Sequence, residues 1–267
     1  MSATSQQNPG WGRGRLLAIV GSAALLAAGV LAFLISLALE SLTGPGPAAP
    51  VTVHTSAPPS TGPVRRDEIA AAPMLQVDPT ARSSGVPATA QSRALDVPPA
   101  TEQGPSGVPT GYPRTPAGAV GQLAAIDTTV LTGMSLEHTR AVHQVWSLPG
   151  APTVEQWVMN QNVSAFLAAA GPSPVGLPPV VAAYPAGGQV KGTDGPDWVL
   201  ACVLLRVDAT IARSASIAYG HCERLQWSEG RWQIAPGAQP ALAPSTWPGT
   251  EAATQAGWLT WSPAEQG

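Results

Sequence analysis

Apolar residues are distributed along this chain in three regimes, and each predicts a different physical behaviour. From Leu16 to Leu39 they run on without a charge (LLAIVGSAALLAAGVLAFLISLAL). At about 1.5 Å per residue this stretch reaches about 36 Å, enough for a hydrocarbon core of about 30 Å with some tilt. Only a helix satisfies its own backbone in such a medium. Across residues 40–105 neither period 2 nor period 3.6 is sustained, and Pro, Gly, Ser, Thr and Ala predominate. Such a segment cannot bury enough apolar surface to offset its ordering entropy, so it is read as a semi-extended, disordered linker. Within it, Arg65 to Gln76 (RRDEIAAAPMLQ) could form a short helical turn before Pro73, either as a solvated charge cluster or as a transient binding motif.

From Ser106 onward periodicity appears. Thr115 followed by Pro116 is a helix start, a side-chain cap and then a residue with no N–H to leave unpaired. Ala119, Val120, Leu123, Ala124, Ile126 and Val130 follow at helical spacing, and Gly133 supplies a stop. A second helix begins at Ser135, with Leu136, Val142, Val145 and Trp146 on its apolar side, and ends at Pro149-Gly150. Thr153 and Gln156 stand at capping-box spacing and open a third, with Trp157, Val158, Phe166 and Leu167 carrying its buried face to Gly171.

Beyond Gly171 the period changes to that of strands. Val180 to Tyr184 is a short one, placed at an edge by its neighbouring prolines. Trp198 to Val207 is a near-continuous apolar run, as in a strand covered on both faces. Ser214 to Trp227 is long enough to curve, with Gly220 a candidate bulge or bend. Ser228 to Arg231 reads as a hairpin turn returning through Trp232, which pairs Trp227 with Trp232 across the strands. Thr250 caps a short helix ending at Gly257, and Trp247, Trp258 and Trp261 are placed to seal the tail against the sheet. Helices followed by strands imply an α+β domain over 106–267: three helices, a curved antiparallel sheet of about four strands and a short C-terminal helix.

Charge fixes the orientation. Arg13 and Arg15 precede the apolar stretch and the first charge after it is Glu40, so 1–15 is expected in the cytoplasm, 16–39 across the cell membrane and the remainder outside. The competing reading is a cleaved signal peptide. Signal cores run about 7–15 residues and end in a small-residue cleavage site; here the core is longer, and Pro45, Pro47 and Pro50 interrupt the small residues that follow. Cys202 and Cys222 then lie in an oxidising compartment, where a disulfide is favoured over two unrelated buried thiols.

The 267 residues carry a formal net charge of -3, and 11% are charged. No basic footprint exists for direct nucleic-acid binding. No zinc spacing, nucleophile elbow or phosphate-cradling Gly loop occurs, so no metal, cofactor or catalytic residue is assigned. Gly220-His221-Cys222-Glu223 is the sharpest catalytic candidate, but neighbours on a strand point to opposite faces, which separates His221 from Cys222. His138 and His143 lie five apart on a helix and do not share a face. Asp194 and Asp197 flank Gly195-Pro196 and suit a turn.

Three strings carry a resemblance: GVPTGYPRTPAGAV, GHCERLQWSEGRWQIAPG and APSTWPGTEAATQAGW, which together span much of Gly107 to Trp258. They resemble a family of actinobacterial single-pass membrane proteins associated with integrative and conjugative elements. The layout is also similar to the extracytoplasmic assembly subunits of type IV secretion and conjugation machines, which have one membrane helix, a linker and a nuclear transport factor 2-like domain. What the resemblance implies is a non-enzymatic, membrane-anchored scaffold of a DNA-transfer apparatus, with other subunits and a possible homo-oligomer as partners. The alternatives are a cell-envelope ligand-binding module or enzyme using a cavity of the outer domain, or an envelope protein associated with lipid transport.

Overall fold

The computed structural model describes residues 61–171, 179–210 and 214–263. The elements in chain order begin with α1 (Pro63–Ala71), β1 (Ala94–Val97), β2 (Glu102–Gln103) and β3 (Pro109–Thr110). Three helices follow: α2 (Pro116–Gly133), α3 (Leu136–Trp146) and α4 (Val158–Ala170). Strands β4 (Val180–Thr193), β5 (Trp198–Thr210), β6 (Ser214–Ser228) and β7 (Arg231–Ile234) come next, and α5 (Glu251–Gln255) and β8 (Leu259–Pro263) close the chain. The domain is α+β, with helices packed against a curved mixed sheet.

The sheet has six strands in the order β1-β8-β4-β5-β6-β7. All neighbours are antiparallel except β1 and β8, where Ala94–Val97 run parallel to Thr260–Pro263. A small separate ribbon pairs β2 with β3. Strand β5 is buried along most of its length, and its residues alternate between the two faces of the sheet. Val199, Ala201, Val203, Leu205 and Val207 face inward onto α2 and α4. On the other face, Trp198 and Leu200 pack with Ile69, Ala70 and Ala235, while Cys202 and Leu204 pack with Ala253, Ala256 and Trp258.

Local signals explain the helices that frame the inner core. The Thr115 hydroxyl accepts from the Gly118 amide (3.1 Å), and Ser135 accepts from His138 (3.3 Å). The Thr250 hydroxyl accepts from Ala253 (3.3 Å), as the cap preference of short hydroxyl side chains requires. Gln156 Oε1 accepts from the Thr153 amide, but this capping-box contact closes only a turn, and α4 starts at Val158 with Trp157 as its cap residue. Trp227 and Trp232 are opposed in the β6–β7 hairpin, their rings edge-to-face at 5.4 Å.

Three expectations need correction. The folded domain does not begin at Ser106. Residues expected to form linker up to 105 instead supply α1, β1 and β2, and α1 lies on the outer face of the sheet. Arg66 pairs with Asp194 (2.7 Å) and Asp67 with the buried Arg224 (2.8 Å), while Ile69 and Ala70 enter the outer core. The Lys191 ammonium donates to the Ala70 carbonyl (3.1 Å) and to that of Ala72, capping the C-terminal end of α1. The short helical turn expected over Arg65 to Gln76 is thus a helix over Pro63–Ala71, neither solvated nor transient, because long-range ion pairs and a cap hold it in place.

The sheet also has six strands and a parallel pair, where about four antiparallel strands were expected. Gly220 is no bulge either, because β5 and β6 keep one register throughout; the register shifts fall in β4, between Pro185 and Gly187 and between Val190 and Gly192. What Gly220 provides is close approach, since a Cβ there would sit 2.7 Å from the Pro244 carbonyl oxygen. The apolar stretch 16–39, the tail with Arg13 and Arg15, and the linker up to residue 60 lie outside the described residues. Among the described residues, no helix is long and apolar enough to cross a membrane.

Candidate functional site

The inner face of β6 carries a polar stripe. Tyr219, His221 and Glu223 alternate along it and oppose Leu205, Val203 and Ala201 of β5. On that face they meet Asp127, an acidic residue within the apolar face of α2 (LAAIDTTVL). His221 Nδ1 donates to Asp127 Oδ2 at 2.8 Å, and His221 Nε2 lies 3.8 Å from Glu223 Oε2. Trp157 Nε1 donates to the same Glu223 oxygen (3.1 Å), and the Arg224 amide donates to the other (3.0 Å). Exposure is 0% for Asp127 and 4% for both His221 and Glu223. Three ionisable groups are thus enclosed together, one imidazole between two carboxylates.

Burial opposes charge on His221, but attraction to Asp127, their hydrogen bond and the Glu223 carboxylate together outweigh it and raise the imidazole above its ordinary value. Burial raises Asp127, with His221 pulling the other way. Burial likewise raises Glu223, and the like charge of Asp127 adds to the rise. The cluster therefore holds protons more tightly than the same groups do in water. Asp127 Oδ1 and His221 Nε2 have no hydrogen-bond partner among the described residues.

Two hollows adjoin this stripe. A cleft of about 210 Å³ lies between β6, the start of α4 and the loop 239–245, and His221, Tyr219 and Asn162 reach it. The Ser245 hydroxyl accepts from the Gly220 amide there, fixing that loop to the strand (3.0 Å). A larger cavity of about 520 Å³ opens at the far end of the inner face. Its walls are chiefly Leu131, Val163, Phe166, Val181, Val207 and Ile217, and Tyr219 with Asn162 forms its polar end. Asn162 Nδ2 donates to the Tyr219 hydroxyl (2.8 Å), and that hydroxyl points to the Met159 sulfur (3.4 Å).

The residues singled out in the sequence are placed as follows. Cys202 and Cys222 are directly opposed on β5 and β6 and form a disulfide, with Cα atoms 4.0 Å apart. They face outward, away from His221, so no thiol meets the imidazole. His143 is buried against Trp157 (ring centroids 5.2 Å) and bonds the Pro152 carbonyl (2.9 Å), so it serves the core. Asp194 binds Arg66 and the Gly62 amide, and Asp197 binds Arg114, so both hold neighbouring segments. Among the described residues no group of His, Cys, Asp or Glu is arranged to hold a metal ion. Sequence reading missed the Asp127–His221 pair, whose partners lie 94 residues apart. The available signals were a lone carboxylate in an apolar helix and two polar residues two apart on an otherwise buried strand.

Comparison of the chain with protein-family models, with curated proteins and with solved structures gave no match.

Proposed function

We propose that this chain is a non-enzymatic, membrane-anchored assembly subunit whose outer domain, of nuclear transport factor 2-like design, docks another component of a conjugative DNA-transfer apparatus. The observation that carries this reading is a strand edge left unpaired among the described residues. Over Val180–Pro185, β4 pairs with β5 on one side, while β8 reaches only Gly187 and Gly188 on the other. Val180 and Tyr184 are 69% and 55% exposed along this segment. Such an edge offers backbone donors and acceptors to an extended segment of a partner protein, with side-chain contacts on alternate residues supplying selectivity.

The buried cluster supports the non-enzymatic part of the reading. His221 Nδ1 is held by Asp127 at 2.8 Å and the ring is only 4% exposed, which favours a structural role for the imidazole, although Nε2, 3.8 Å from Glu223, has no hydrogen-bond partner among the described residues. The charge-free stretch 16–39 and the preceding Arg13 and Arg15 support the anchor and its orientation.

The test is in vivo cross-linking of the tagged full chain, followed by mass spectrometry of what is covalently attached. Recovery of a transfer ATPase or channel subunits supports the reading. Recovery of the chain alone, or of cell-wall or lipid-transport components, overturns it.

A further inference from the structure

The larger cavity is hollow because of particular residues. Ala209 and Ala215 oppose each other on β5 and β6, in line with Val181 on β4, where larger side chains would fill the space between the sheet and the ends of α2 and α4. Its volume of about 520 Å³ lies within the range of about 300–1,000 Å³ typical of small-molecule sites. Arg82 at the rim is the one ionised side chain among the lining residues.

The polar end is selective by charge and by hydrogen-bond sense. Asn162 already donates to the Tyr219 hydroxyl, whose own proton has, among the described residues, only the Met159 sulfur, a weak acceptor, at 3.4 Å. Burial and the nearby Asp127 charge push the phenol well above its ordinary range, so it remains a donor. An anionic ligand end would face the Asp127 and Glu223 carboxylates behind this ring, and a cationic one would lose its hydration among apolar walls. A neutral oxygen acceptor avoids both costs.

We infer that this cavity binds a neutral, mainly aliphatic molecule carrying one hydrogen-bond-accepting oxygen, which takes the Tyr219 proton while the chain lies between Phe166, Val181 and Ile217. The inference stands apart from the docking role: Val181 belongs to the same β4 segment, but the ligand would meet its buried side chain on the inner face, whereas a docked strand would meet the backbone at the edge.

The test uses the full chain in lipid nanodiscs, irradiated with an aliphatic methyl ketone that carries a diazirine on its chain, with adducts mapped by peptide mass spectrometry. Adducts are expected in peptides containing Phe166 and Ile217. Unlabelled methyl nonyl ketone should compete roughly three- to tenfold better than undecane, the factor that one neutral hydrogen bond supplies. Tyr219→Phe should keep the labelling and lose that preference. Ala215→Leu should abolish labelling at both peptides; if thermal unfolding shows that this variant is not folded, Ala209→Leu takes its place. Adducts confined to the apolar stretch 16–39, labelling unchanged by the filling variant, or equal competition by ketone and alkane in the wild type would each overturn the inference.

Discussion

Removing Asp127 tests the buried cluster most sharply. Asp127→Ala leaves His221 without the carboxylate that holds Nδ1 at 2.8 Å, and with only Glu223 at 3.8 Å from Nε2. Breaking one side of a buried ion pair costs about 3–5 kcal/mol, because the remaining charge has lost its compensation. Asp127→Asn keeps an acceptor oxygen and loses only charge. It is expected to cost about 1–1.5 kcal/mol, the difference between a charge-assisted and a neutral hydrogen bond.

The same variant makes a prediction about pH. His221, Asp127 and Glu223 are all raised in the folded state, so the fold retains protons that the unfolded chain releases. Their stabilisation is complete below about pH 4, the ordinary carboxylate range, and is lost as pH rises through the folded values. Each such proton limits the slope to about 1.4 kcal/mol per pH unit. His143 slopes the opposite way below about pH 6.5, because burial lowers it, so the readout is the difference between wild type and variant. Urea unfolding of the full chain, followed by tryptophan fluorescence at pH 5 and pH 8, measures that difference. It should shrink as pH rises. A difference independent of pH, or an Asp127→Ala cost below about 1 kcal/mol, would refute the reasoning.

Other expectations follow from single contacts. Replacing both Cys202 and Cys222 with Ala removes a cross-link between residues 20 apart in sequence and should cost about 2–4 kcal/mol in urea unfolding; a loss near zero would mean that the outer core alone fixes this register. Thiol labelling of the unreduced, unfolded protein should modify neither cysteine. Gly188→Ala places a Cβ 2.7 Å from Leu95 and 2.9 Å from Val120, where β1 and α2 converge, and should cost about 1–3 kcal/mol by overpacking; an unchanged midpoint would show that this junction gives way. Arg224→Ala removes the hydrogen bond to the Ala238 carbonyl (2.7 Å) and the tie to Asp67. Limited proteolysis should then open the segment 61–105 before the sheet, and equal protection in wild type and variant would contradict the role given to this arginine.

The sequence was most informative where local chemistry decides local structure. Thr115-Pro116 marked the start of α2, SEGR turned the β6–β7 hairpin, and the unbroken apolar run of β5 announced burial on both faces. It was least informative where distant contacts decide. Ala94–Val97 is a strand only because Thr260–Pro263 lies beside it, and α1 stays folded through Asp194, Lys191 and Arg224, all more than a hundred residues away. The Asp127–His221 pair was hidden for the same reason: its partners belong to different elements. Cys202 and Cys222 were the exception, legible because two cysteines allow a single pairing within the chain.

The most direct test of the docking role places a photoreactive amino acid at Tyr184 on the open β4 edge, with Arg140 on the exposed side of α3 as the control position. Irradiation in cells that carry the transfer apparatus should give one covalent product from position 184, identified by mass spectrometry as a channel or ATPase component, and none from position 140. Equal products from both positions, or none from 184 while the chain is folded and anchored, would contradict the account.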